Sequence, residues 1–196
     1  GFLRIAFNNL YQIDKNMWRS NQPSPKQIEY AHKELGIKTI LNLRGPRETG
    51  GWQLEAETCD RLGIKLVNFR VRSRAAPEKE MLLKIPCLFS SIKGPALLHC
   101  KSGADRAGLM SALYVIIVMR RPANIALKQL SFKYLHVKQA KAGILDAFIA
   151  SYIPFEKKGV GFMKWVEDFY NPDTLLLEFQ AQPWASRFVD SILKRE

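Results

Sequence analysis

The sequence predicts an α/β fold: a central parallel-rich sheet of about four or five strands wrapped by helices, followed by a helical C-terminal tail. Three observations carry this. Short apolar runs at residues 39–43, 64–69 and 96–99 alternate with helical patterns of ten residues or more. Capping and stop residues bracket the helical patterns. Finally, 196 residues with 47% hydrophobic content suffice for one domain with a core and a small appendage.

Each element has its own warrant. Trp18, Arg19 and Ser20 read as a short edge strand ending in a turn at Asn21, Gln22 and Pro23. A helix follows to about residue 35, with Ser24 at the cap, Pro25 at the first helical position and Gly36 as the stop. The strand 39–43 ends in a turn at Arg44, Gly45 and Pro46. Residues 52–62 are helical and closed by Gly63, and 64–69 is the next strand. A helix over about 77–92 contains Pro86, where it is open to interruption. The strand 96–99 precedes an apolar helix over 109–119, too short to cross a membrane and better read as buried. The rest is helical, over about 122–134 and 138–151. The expected division is a catalytic domain over 1–153 and a helical extension over 154–196 packed on it.

The ten residues from His99 to Gly108 carry the chemistry. They read His-Cys, five residues, Arg, placed between an apolar strand and an apolar helix. Such a loop turns successive backbone N–H groups inward and aims a helix N-terminus into the hollow, where a dianion fits. Positive potential there favours the thiolate of Cys100 over the thiol. The planar fork of Arg106 can grip two oxygens of the same anion. Cys59 and Cys87 lack this setting and read as ordinary small side chains.

The run resembles the signature of cysteine-dependent protein tyrosine phosphatases, in particular bacterial dual-specificity-like members. The resemblance extends to residues 18–23 and 36–45, to Gln129, Leu130 and Ser131, and to Tyr134 and His136, covering about 7–152. It implies a dual-specificity phosphatase-like fold and a metal-independent phosphomonoesterase without cofactor, working through a phosphocysteine. By resemblance, Cys100 is the nucleophile, Arg106 the phosphate clamp and His99 the support of the thiolate. The backbone of Lys101, Ser102, Gly103, Ala104 and Asp105 would bind the phosphoryl oxygens.

Two departures stand out. Family members usually carry Ser or Thr after the signature arginine, where this chain has Ala107; the loss points to slow breakdown of the phosphoenzyme, with Ser102 a possible substitute. The stretch 70–80, where relatives place an acidic loop, contains no Asp. Asp105 is therefore the first candidate for the general acid, its rival role being to orient Arg106 or the loop. Glu78 and Glu80 follow it, with the first turn of a helix as their simpler role. Arg70, Arg72 and Arg74 alternate like exposed positions and, with Arg44 and Glu78, are candidates for the rim. Arg44, Glu48 and Glu55 share the end of the sheet that holds the signature, with charge pairing as their simpler reading.

The net charge of +12 favours anionic partners. The expected substrate is a phosphorylated protein, at tyrosine or with dual specificity. Phosphoinositides, inositol phosphates or phospholipid head groups are one alternative, and a phosphate-binding pseudophosphatase is another. Nucleic acid has no motif behind it. A reduced thiol argues for the cytoplasm. The chain begins at Gly1, and relatives of this type often carry an N-terminal anchor, so membrane contact through such an anchor and export of the full-length form stay open. In the tail, Trp165 and Phe169, and Trp184 and Phe188, stand at i, i+4 spacing, which reads as amphipathic packing ahead of a membrane-facing surface.

Overall fold

The computed structural model describes residues 9–46 and 50–181. Five strands form one sheet: β1 (Tyr11–Asp14), β2 (Met17–Ser20), β3 (Thr39–Asn42), β4 (Lys65–Asn68) and β5 (Ala96–His99), in the order β1-β2-β5-β3-β4. All pairs are parallel except β1 with β2. Eight α-helices accompany them among the described residues. They are α1 (Pro25–Leu35), α2 (Gly50–Leu62), α3 (Lys79–Ser90), α4 (Asp105–Ile117), α5 (Ala123–Ala126), α6 (Ile144–Glu156), α7 (Phe162–Asp168) and α8 (Pro172–Gln180). Contacts divide the chain into two compact units, one of residues 1–71 and 88–111, the other of 72–87 and 112–196.

The first unit holds the whole sheet. The helix α1 begins as its capping residues require. The Ser24 hydroxyl accepts from the Gln27 N–H while the Gln27 side chain accepts from the Ser24 N–H, a capping box. Gly36, at φ 66°, closes the helix in the left-handed region. Its buried Ile28 and Ala31 pack with Ile37, Ile40, Cys59, Ile64 and Leu97 into one core between helices and sheet. The strands β3 and β5 are buried at every position, as central parallel strands are.

The edge-strand expectation for residues 18–20 fails. The strand β2 lies between β1 and β5, because a tight turn folds β1 back over it. The Asp14 carboxylate accepts from the Asn16 N–H and holds that turn. Two further expectations change. The helix α3 passes through Pro86 without interruption. The helix expected over 122–134 breaks into α5, a 3₁₀ turn at Leu127–Gln129 and another at Phe132–Tyr134. The Ser131 carbonyl accepts from the Tyr134 and His136 N–H groups, and burial of Leu130 and Tyr134 holds these turns. The 138–151 helix likewise starts late, at Ile144, after a 3₁₀ turn at Lys141–Gly143.

The second unit is held by an aromatic cluster. Trp165 of α7 is 2% exposed and stacks within 5.2–5.6 Å of Phe148, Tyr152, Phe162 and Tyr170. The Tyr170 hydroxyl donates to the Pro77 carbonyl at 2.7 Å, tying the 72–87 segment to this cluster. Phe169, its expected helical partner, is exposed, and Trp184 and Phe188 lie outside the described residues. The helix α6 runs through the expected boundary at 153 and ends at Glu156. Among the described residues no helix is long and apolar enough to cross a membrane.

Burial also sets a pH dependence. The Cys59 thiol is pushed up to about 12, first by burial and second by the nearby Glu55 carboxylate. The Tyr170 hydroxyl is raised too, by burial and then by Asp173. An unfolded cysteine ionises near about pH 8.5. Between that pH and about 12 the unfolded chain binds fewer protons than the folded one, so stability falls as pH rises. Melting temperatures should decline progressively above about pH 8.5, and Cys59→Ala should flatten the first part of that decline. A melting temperature level from pH 8 to 11 would contradict this.

Candidate active site

The strand β5 ends at His99, and α4 begins at Asp105, so the loop between them sits at the carboxyl end of a central parallel strand. That is where open α/β sheets bind ligands. Cys100 is buried at the base of the loop. Lys101 and Ser102 are exposed, Gly103 and Ala104 buried, and Asp105 and Arg106 half-buried in the first turn of α4. The structure thus places the sequence-predicted loop residues between the end of β5 and the first turn of α4.

The loop's shape follows from what happens to its carbonyls. His99 O accepts from Leu43 N–H at 2.9 Å and Lys101 O from Gln22 N–H at 3.5 Å. The Asn9 side-chain amide donates to Ser102 O at 2.9 Å. Arg19 donates through Nη2 to Gly103 O at 2.8 Å and Ala104 O at 3.2 Å. In a trans peptide the N–H points opposite to the C=O. Anchoring the carbonyls of residues 101–104 on one side therefore turns the N–H groups of residues 102–105 to the opposite side, where Ala104 N–H meets Ser102 Oγ at 3.4 Å. Amides so turned, beside the N-terminus of α4, suit an anion. Arg19 itself is 0% exposed, so a buried positive charge lies against the loop's outer side.

Gly103 makes this geometry possible. Its φ is +76°, and a Cβ there would sit 2.8 Å from Asn21 N, Ser20 C and Asn9 Nδ2. Both the left-handed backbone and the approach to β2 exclude a side chain. Gly103→Ala should cost about 2 kcal/mol or more and displace the loop. Thermal melts and phosphate binding check this; an unchanged melt with unchanged phosphate affinity would contradict it.

Arg106 has no hydrogen bond or ion pair among the described residues, which leaves its fork available to an oxyanion. Ala107 is fully buried, and its carbonyl accepts from Ser111 Oγ at 2.6 Å. The Ser102 hydroxyl, a possible substitute for the missing one, accepts from Ala104 N–H at 3.4 Å. Behind Cys100, His99 is fully buried and its Nε2 lies 2.5 Å from Glu55 Oε1. Glu55 Oε2 accepts from Gln22 Nε2 at 2.6 Å, and Gln22 Oε1 accepts from Arg44 Nη1.

The rim candidates separate. Arg44 stands at the carboxyl end of β3, and the Arg70 side chain packs beside Gly45 next to it. Arg72, Arg74 and Glu78 belong to the second unit, where Arg72 and Glu78 pair at 3.3 Å with both side chains exposed. Glu80 occupies the first turn of α3, the simpler role expected for it. Glu48 lies outside the described residues. Sequence reasoning took Arg19 only as a strand residue and Gln22 only as a turn residue, both within the 18–23 stretch of the resemblance, and did not single out Asn9. Their one signal was an arginine in an otherwise short strand, and nothing in its local pattern pointed to a loop some 80 positions away.

Residues 8–144 match the family model described as DSP-PTPase phosphatase fused to NAD+ kinase. The chain belongs to this phosphatase family. Its similarity to the dual specificity protein phosphatase TpbA of Pseudomonas aeruginosa (strain UCBPP-PA14) is 25% identity over 123 residues, 62% of this chain and 53% of that protein. The chain thus aligns with about half the length of the curated relatives it matches. The crystal structure of P. aeruginosa TpbA superimposes with a TM-score of 0.59 at 18% identity, covering 74% of this chain and 84% of that one. The core catalytic domain of the PP-IP phosphatase SIW14 from S. cerevisiae, in complex with citrate, gives 0.58 at 18% identity, covering 77% and 91%. These likenesses place the fold among the cysteine phosphatases, as the sequence resemblance implied.

Proposed function

We propose that this chain is a metal-independent phosphomonoesterase that works through a phosphocysteine intermediate. The observation that carries the reading is the set of outward-anchored carbonyls, which makes the Cys100 loop an anion cradle above a buried cysteine. In the first step the Cys100 thiolate attacks phosphorus, a P–S bond forms and the P–O bond to the leaving group breaks. The leaving oxygen takes a proton from Asp105, in the first turn of α4. Arg106 and the loop amides hold the three equatorial oxygens, whose charge shifts in the transition state. In the second step water gives up a proton to Asp105 and attacks phosphorus. The P–S bond breaks, returning the thiolate and inorganic phosphate. With no hydroxyl at position 107 to meet the departing thiolate, this second step is the slow one.

The substrate class that fits best is a phosphorylated protein, at tyrosine or with dual specificity. Arg70 and Arg44 at the same end of the sheet favour a second reading, a polyanion such as an inositol phosphate. A reducing, cytoplasmic setting suits a thiol nucleophile. The catalytic region ends near the close of α6, with α7 and α8 in the extension that follows it.

The test is a pre-steady-state time course with aryl phosphates, without added metal. A burst of phenol release followed by slow turnover is expected. Asp105→Asn should slow a substrate with a poor leaving group about 100-fold and one with a good leaving group far less. Equal loss on both would remove Asp105 as the acid. Silence of the wild type on aryl phosphates, phosphopeptides and inositol phosphates alike would leave a binding protein without turnover.

A further inference from the structure

The side chains of Arg44, Gln22, Glu55 and His99 form a hydrogen-bonded line that runs from half-buried Arg44 and Gln22 to buried Glu55 and His99, the residue before Cys100, and the chemical steps above do not use it. Its hydrogen bonds have a fixed direction. Arg44 only donates and a carboxylate only accepts, so the Gln22 amide is oriented with its oxygen toward Arg44 and its NH₂ toward Glu55. Glu55 Oε2 is thus occupied as an acceptor, and Oε1 meets His99 Nε2 at 2.5 Å. The other ring nitrogen, Nδ1, faces the Cys100 carbonyl oxygen at 3.5 Å, again an acceptor. Both His99 and Glu55 are buried, at 0% and 1% exposure. A buried carboxylate without a countercharge is costly, and the group in direct contact that is able to carry a positive charge is the His99 ring.

We propose that Glu55 is a positioning residue that holds His99 as an imidazolium behind the nucleophile, with Gln22 and Arg44 fixing the Glu55 carboxylate in its ionised form. This rests on the phosphatase reading only in what the device is for. In the charged form both ring nitrogens donate, one to Glu55 and one toward the Cys100 carbonyl, and the ring's charge sits on the residue next to the nucleophile. The groups that face this pair are Cys100 from β5 and its loop, Cys59 on α2 near Glu55, Arg44 beyond Gln22, and Arg19 on the loop's outer side. The Cys59 thiol is raised, first by burial and second by Glu55, so it stays neutral across the working range and does not compete for the proton.

The test has two readouts that need no turnover. In the wild type, ¹⁵N spectra of the His99 ring should show both nitrogens protonated at neutral pH. An unprotonated ring nitrogen at pH 7 would overturn the proposal without any variant. Second, iodoacetate labelling of Cys100 across pH, read on its own peptide to separate it from Cys87 and Cys59, reports the thiolate. In Glu55→Gln the labelling midpoint should move up by about one pH unit, so labelling below it slows about tenfold. Glu55→Asp, which keeps the charge, should restore part of the shift. A purely structural Glu55 would lower the melting temperature of both variants and leave the labelling profile in place, which would sink the idea. If aryl phosphates are not hydrolysed but the spectra and labelling behave as expected, the function above fails and this assignment stands.

Discussion

Cys100→Ser is expected to abolish phosphate-ester hydrolysis, by about 10⁴-fold or more in kcat, while leaving substrate binding nearly intact. The expected split follows from where binding and bond-making reside. The cradle is built from backbone N–H groups whose carbonyl partners are anchored by Asn9, Arg19 and Gln22, and none of these depends on the cysteine side chain. A hydroxyl in place of the buried thiol keeps shape and volume close, but it is not ionised and does not form the P–S bond. Calorimetric titration of the serine variant with an unhydrolysed phosphotyrosine peptide should give an affinity within about threefold of the wild-type KM, where KM reports binding. Stopped-flow measurements should show no burst. Turnover near the wild-type rate would eliminate the covalent mechanism.

The second large effect is expected at Arg106. Arg106→Lys keeps a positive charge at the start of α4 but replaces a planar, two-pronged donor with a point charge. The guanidinium has no partner within the described chain, which leaves it open to the phosphoryl group of the proposed reaction. Loss of about 10³-fold in kcat/KM is expected, through both weaker binding and a slower chemical step. The fold should not change, because the residue is half-buried and bridges nothing among the described residues. A loss below about tenfold, with the melting temperature unchanged, would show that the loop amides alone hold the phosphate.

How far the sequence reached depends on the range of the signal. The capping box at Ser24, the stop at Gly36 and the strand at residues 96–99 were readable because each is written within a few neighbouring residues. The loop was readable for the same reason: Cys100, Arg106 and the helix start lie within ten positions. The hairpin partner β1 was missed, and so was the break after Ala126, because burial and pairing with distant segments decide them. Among the acidic residues of the first strand-to-helix region, Glu55 was grouped with Arg44 and Glu48 as ordinary charges. Only the fold shows that it faces His99, 44 positions away, across a fully buried contact.

The sequence by itself determined the signature at the centre: a cysteine, an arginine and a glycine spaced along one loop between a strand and a helix. The roles proposed for them are local, since a loop of seven residues closes on itself whatever lies beyond it. The tertiary structure alone decided what holds that loop in shape and sets its electrostatics. Arg19 and Asn9 grip carbonyls 84 and 93 positions away, and Glu55 meets His99 in the interior. Such partners carry no pattern in sequence. Parallel strands are joined by crossovers, so residues adjacent in space come from distant parts of the chain, and desolvation makes their few hydrogen bonds decisive.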